Sequence, residues 1–149
     1  MNLQEDLKMK GKLTIQVFDK EGKLKETRNH DNLVVTAGKV YIASRMVGTA
    51  STVMNAMAIG TGTGTPAAGD TTLGTEANRQ SASFTFTASS NTVTASCTFA
   101  AGNGTGAITE AGIFNNTTSG GTMLCRTTFP VVNKAAGDSI AINWTITVS

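Results

Sequence analysis

Charge, histidine and cysteine are scarce in this 149-residue chain, and each scarcity removes a class of function. Charged residues make up 15% of the chain and the net charge is +2, so no Lys/Arg footprint for displacing phosphate counterions is evident and nucleic acid is not an expected partner. His30 is the single histidine, so neither a histidine-based triad nor a two-histidine metal site can be assembled within one chain. Cys97 and Cys125 stand apart among apolar neighbours, without CxxC or another ligand spacing, and read as buried free thiols. No run of about 18 apolar residues is present to span a membrane, and Met1 leads into Gln4, Glu5, Asp6 and Lys8 rather than an apolar signal core. The expectation is a protein made in the cytoplasm, with no membrane partner, no catalytic residue, no metal and no cofactor.

Gly, Thr, Ser, Ala and Asn fill the space that charge leaves. Low charge combined with a 40% hydrophobic fraction does not match the composition of disorder, and a Thr/Ser/Asn surface suits strands. The charges that exist crowd into the first third, where Lys8, Lys10, Lys12, Lys20, Lys23, Lys25 and Arg28 interleave with Asp19, Glu21 and Glu26. Leu13, Ile15 and Val17 alternate with polar residues, Asp19 to Gly22 forms a turn, and Leu24 to Arg28 returns as a hairpin. One helix is expected from Thr36, its N-cap, to Val47, with Val40, Ala43 and Val47 on the apolar stripe, Ile42 and Met46 widening it, and Gly48 as the stop.

Further strands are expected at Val53–Ile59, Ala82–Phe86, Val93–Phe99, Ala107–Phe114, Thr122–Phe129 and Ile140–Val148, with a short turn capped by Asp70 before Arg79. About eight strands separated by regular turns predict a mainly β fold, an antiparallel β-sandwich or jelly-roll-like domain with one short-to-medium helix over an open end or edge. Residues 1–10 read as an N-terminal arm and 11–149 as a single β domain.

Ile59-Gly60-Thr61-Gly62-Thr63-Gly64 follows a strand, as a phosphate-binding glycine fingerprint would. The third glycine comes one residue early, Pro66 blocks an immediate helix and no βαβ unit surrounds it, so the segment reads as a flexible loop at the domain tip. His30, between Asn29 and Asp31, reads as part of an exposed turn. Asp70, Glu76, Glu110 and Asp138 are scattered over separate segments, and their spacing favours no acid/base pair. Glu110 is unusual as a lone charge in an apolar strand, with Arg126 in the next strand. A cross-strand ion pair follows, worth under about 1 kcal/mol if exposed, the alternative being a charge at a subunit interface.

The runs Met57-Ala58-Ile59-Gly60-Thr61-Gly62, Leu73-Gly74-Thr75-Glu76, Ile108-Thr109-Glu110-Ala111-Gly112-Ile113-Phe114 and Gly121-Thr122-Met123-Leu124-Cys125-Arg126 give the chain, from about Asn32 to Val148, its likeness to a family. It resembles small virion structural proteins of tailed bacteriophages. That resemblance implies a capsid decoration or cement protein, a homo-oligomer (dimer or trimer) bound to the outer surface of the major capsid protein lattice and stabilising the head. The alternative it leaves open is a tail-fibre or tail-collar component in host attachment. On either reading the chain is synthesised in the host cytoplasm and ends in the virion, on the capsid surface for the first. Candidate interface residues are Leu3, Leu7, Lys8, Lys10 and Lys12 of the charged N-terminal part, together with Glu110 and Arg126.

Overall fold

Leu13, Ile15 and Val17 face inward from strand β1 (Met9–Phe18) of the computed structural model, which describes residues 3–49 and 51–149. β1 is flanked by β2 (Leu24–Asp31) and β10 (Ser139–Val148), whose Ile140, Ile142, Trp144 and Ile146 obey the same alternation. β7 (Thr92–Phe99) and β6 (Ser83–Phe86) complete a sheet of order β2-β1-β10-β7-β6. The second sheet has the order β3-β9-β8-β4-β5, from β3 (Leu33–Val34), β9 (Met123–Lys134), β8 (Gly106–Phe114), β4 (Ala56–Gly60) and β5 (Glu76–Ser81). Every neighbouring pair is antiparallel.

The fold is a mainly β sandwich of two antiparallel sheets with one helix, as the alternation predicts. Its main core packs Leu13, Ile15, Phe99, Ile142 and Trp144 of the first sheet against Met57, Ile59, Ile113 and Val132 of the second. Trp144 is fully buried, and its indole N–H donates to Asn32 Oδ1 at 2.7 Å, so the polar end of the ring is satisfied inside the sandwich.

The second sheet is buried on its outer face as well. Ala56, Ala58, Leu73, Phe114 and Met123 form a separate cluster with Val35 on that face. This explains why β4 is buried at every position: a strand covered on both sides carries an unbroken apolar run. The cover consists of helix α1 (Thr36–Met46) and the β4–β5 connection, residues 61–75. Gly38 sets the helix distance, because a Cβ there would lie 2.2 Å from the Leu124 carbonyl oxygen.

Several expectations from the sequence are corrected. Among the described residues there are ten strands rather than about eight, the additions being β3 and β5, which replaces the short turn expected before Arg79. The strand expected from Val53 starts at Ala56, leaving Val53 exposed. Thr36 is not the N-cap. Val35 occupies that position without any side-chain cap; it is fully buried, its N–H is donated to the Leu124 carbonyl, and Thr36 N–H goes to Ala68. Tertiary contacts thus replace the local cap. The apolar stripe is also rotated: Val40, Met46 and Val47 are exposed, whereas Gly38 is buried and Tyr41 and Ile42 pack on the core. His30 lies within β2 and stacks on Phe129 with ring centroids 5.3 Å apart, not in an exposed turn. β1 begins inside the expected arm, so Met9 and Lys10 pair with Val148 and Thr147.

Candidate functional site

Strand β8 carries Glu110 on the outer face of the second sheet, under the 61–75 connection, where it is completely buried. Its carboxylate accepts five hydrogen bonds. Gly62 N–H (2.9 Å) and Thr75 N–H (2.7 Å) donate to Oε1; Gly74 N–H (2.9 Å) and the Nε (3.1 Å) and Nη2 (2.8 Å) of Arg126 donate to Oε2. Arg126 lies on β9 opposite Gly112, while Glu110 is opposite Thr128, so the pair meets diagonally across the two strands. The guanidinium continues to Asp70 Oδ2 through Nη1 at 2.7 Å and to the Gly64 carbonyl through Nη2 at 3.1 Å. Asp70 in turn accepts the Ala67 N–H at 2.9 Å.

This geometry gives the glycines their reason. A Cβ on Gly60 would lie 2.3 Å from the Thr75 carbonyl oxygen, and one on Gly62 would lie 2.4 Å from Glu110 Oε1. The backbone can close around the carboxylate only where side chains are missing. Thr61 N–H to the Thr75 carbonyl (2.9 Å) joins the two ends of the connection, and Thr109 Oγ1 donates to the Gly62 carbonyl at 2.8 Å. The segment expected to be a flexible tip is instead folded onto the sheet around an internal anion.

Burial pushes the Glu110 carboxyl up, but the amides of Thr75, Gly74 and Gly62 and the Arg126 guanidinium outweigh that and hold its pKa below the ordinary glutamate value. Asp70 is likewise lowered, first by the Ala67 amide and then by Arg126. Both groups are therefore held as anions by the amides and the guanidinium that surround them. The pair is also not the weak exposed bridge or the interface charge expected from sequence. Arg126 is only 4% exposed, so the pair lies inside the chain, in the class where losing one partner is strongly destabilising.

The scattered carboxylates find separate partners, apart from Asp70 and Glu110, which converge on Arg126. Glu76 pairs with Arg79 at 2.7 Å, and Asp138 with Lys25 at 2.8 Å. Arg79 also lies 3.8 Å above the Phe114 ring and donates to the Asn116 and Gly120 carbonyls, securing the β8–β9 turn. Both cysteines are buried and free; burial pushes the Cys97 thiol up to about 12 and raises Cys125 as well.

The other candidate residues lie on the opposite sheet and beside it. Lys8, Lys10 and Lys12 are exposed at every second position, while Met9, Gly11 and Leu13 turn inward. Leu3 and Leu7 are 87% and 79% exposed. Leu7, Lys8 and Lys10 line one side of a groove of about 550 Å³ whose other side is α1 and β3, with Leu33, Lys39, Ile42 and Met46. Sequence reasoning did not place those last four in a surface. The available signal was the over-wide apolar stripe of α1, broader than one packing contact can cover.

Comparison of the chain with protein-family models, with curated proteins and with solved structures returned no match.

Proposed function

We propose that the chain is a structural component of a bacteriophage virion, a decoration protein that binds the outer surface of the major capsid lattice through its helix-bearing face and strengthens the head. One observation carries the reading. Val40 on α1 and Val47 at its C-terminal end, seven residues apart and so on one helix face, are exposed clear of the β1–α1 groove, on a domain whose longest connection is internally fastened. A charge-poor sandwich with an exposed apolar helix face suits docking on a protein lattice, because Thr, Ser and Asn surfaces lose less on desolvation than ions do. The convergent charged groups support the same role, since Asp70, Glu110 and Arg126 satisfy one another and the backbone.

The test is the stoichiometry of the chain in purified particles of the encoding phage, read from a stained gel against the major capsid protein. Copies in proportion to the capsid protein, with immunogold label over the head, are expected. A few copies per particle with label on the tail would replace the decoration role by the tail-fibre or collar role. Absence from the particle would refute both.

A further inference from the structure

The groove between β1 and α1 and the segment that precedes β1 are chemically matched. Met9, Leu33, Val34, Ile42 and Met46 supply an apolar bed, and Lys8, Lys10 and Lys39 supply positive charge at its side. Leu3-Gln4-Glu5-Asp6-Leu7 carries two leucines around two adjacent carboxylates, has no regular secondary structure, and is exposed at every residue. Among the described residues neither Glu5 nor Asp6 forms an ion pair. An apolar and acidic ribbon thus lies beside an apolar and basic bed without occupying it.

We infer that the groove receives the Leu3–Leu7 segment of a second copy of this chain, so that two copies exchange arms. The root of the arm favours exchange over folding back. Lys8 is fastened on both sides to Ser149, its N–H donating to the Ser149 carbonyl at 2.6 Å and its carbonyl accepting the Ser149 N–H at 2.8 Å. Leu7, immediately before this anchor, is already part of the groove wall. Filling its own groove would require the arm to reverse direction within one or two residues of a fixed point. A copy facing the groove supplies the same residues in extended form, and five extended residues reach about 17 Å. Reciprocal exchange closes as a two-fold dimer, in which one arm–groove contact is made twice. The inference concerns copies of the chain alone and stands whether or not they bind a capsid.

Leu3→Cys combined with Met46→Cys in the full-length chain tests it directly under mild oxidation, since both positions are exposed and the native thiols are buried. A disulfide-linked dimer on a non-reducing gel is expected, abolished when either cysteine is left out. An intramolecular bridge, or no bridge in a chain shown to be folded, would overturn the proposal. Charge reversal gives an independent reading by sedimentation velocity. Glu5→Lys with Asp6→Lys, and separately Lys10→Glu with Lys39→Glu, should each weaken self-association by about ten-fold or more, and mixing the two variants should restore a heterodimer. A wild-type chain that stays monomeric at high micromolar concentration, or a dimer indifferent to both reversals, would refute arm exchange.

Discussion

Replacing Glu110 by glutamine changes one oxygen into an NH₂ group and nothing else in shape. Oε2 accepts from Gly74 N–H and from two nitrogens of Arg126, and Oε1 accepts from Gly62 and Thr75 N–H. A glutamine amide has one acceptor oxygen, so either orientation turns an NH₂ toward two or three donors, of which only Arg126 Nη2 keeps another partner in the site, the Gly64 carbonyl. Each stranded buried donor costs about 1–3 kcal/mol, and loss of one partner of a buried ion pair costs about 3–5 kcal/mol, so Glu110→Gln should destabilise the fold by about 3–5 kcal/mol. With an unfolding entropy of about 2.1 cal/mol/K per residue, that lowers the melting midpoint by roughly 10–16 °C for a chain of 149 residues. Urea denaturation gives the free energy, and hydrogen exchange gives the location: the amides of Gly62, Gly74 and Thr75 should lose protection first. Glu76→Gln is the control, because Glu76 is partly exposed, and should cost under about 1 kcal/mol. A Glu110→Gln protein within about 1 kcal/mol of wild type, with those three amides still protected, would show that the carboxylate does not hold the connection in place.

Two other perturbations test the same fold. Gly38→Ala replaces a poor helix former by the best one, yet its Cβ would meet the Leu124 carbonyl oxygen at 2.2 Å; a net loss of about 1–3 kcal/mol is expected in urea unfolding, and a gain would refute the packing argument. Stability should fall with acid in two stages. His30 has its folded pKa lowered, first by burial and then by Arg28, so its contribution is full above the unfolded value near about 6.5 and is lost as pH falls through the folded value. Asp70, Glu110 and Asp138 are lowered as well, so their contribution is full above about pH 4–5 and is lost below that, through their folded values. Midpoints measured across this range should show both declines, and Glu110→Gln should shrink only the second; an unchanged acid limb in that variant would refute the assignment.

The strands that read most clearly in the sequence are those with one wet face. Leu13 to Val17 and Ile140 to Val148 alternate because only their inner faces meet the core, and period-two reasoning finds them directly. β5 escaped because its residues, Glu76 to Ser81, are exposed or half-buried on an edge and show no apolar alternation; pairing with β4 makes it a strand. The helix was legible in place, but its orientation was not. Helical spacing reports which residues share a face, whereas the face that packs here is selected by Gly38, the position where the backbone of β9 can come closest. Thr36 had the right chemistry for a cap, but the start of the helix is fixed by backbone partners, Val35 N–H donating to Leu124 on β9 and Thr36 N–H to Ala68 in the covering connection, with Val35 buried. The candidate charges divided in a similar way. Glu110 and Arg126 were recognisable as a pair from their neighbouring strands, but their burial depended on residues 61–75 folding over them, which no local pattern encodes.

The glycine-rich run and the lone acid of β8 are two halves of one feature, 48 residues apart in the chain when Gly62 and Glu110 are joined. Backbone N–H groups freed of side chains will close around any anion of suitable size, and the physics is the same for a phosphate from solution and for a carboxylate on a neighbouring strand. What separates the two cases is whether the chain itself supplies the charge. An isolated glutamate in an otherwise apolar buried strand is costly unless several donors and a cation converge on it. Glu110 therefore needs a set of amides as much as the glycine loop needs an anion, and Gly62, Gly74, Thr75 and Arg126 meet that need. With the carboxylate seated there, the loop has no free amide cradle at that point for an exogenous phosphate. The same glycines that suggest a ligand site in sequence serve instead to fasten a long connection to the sheet beneath it.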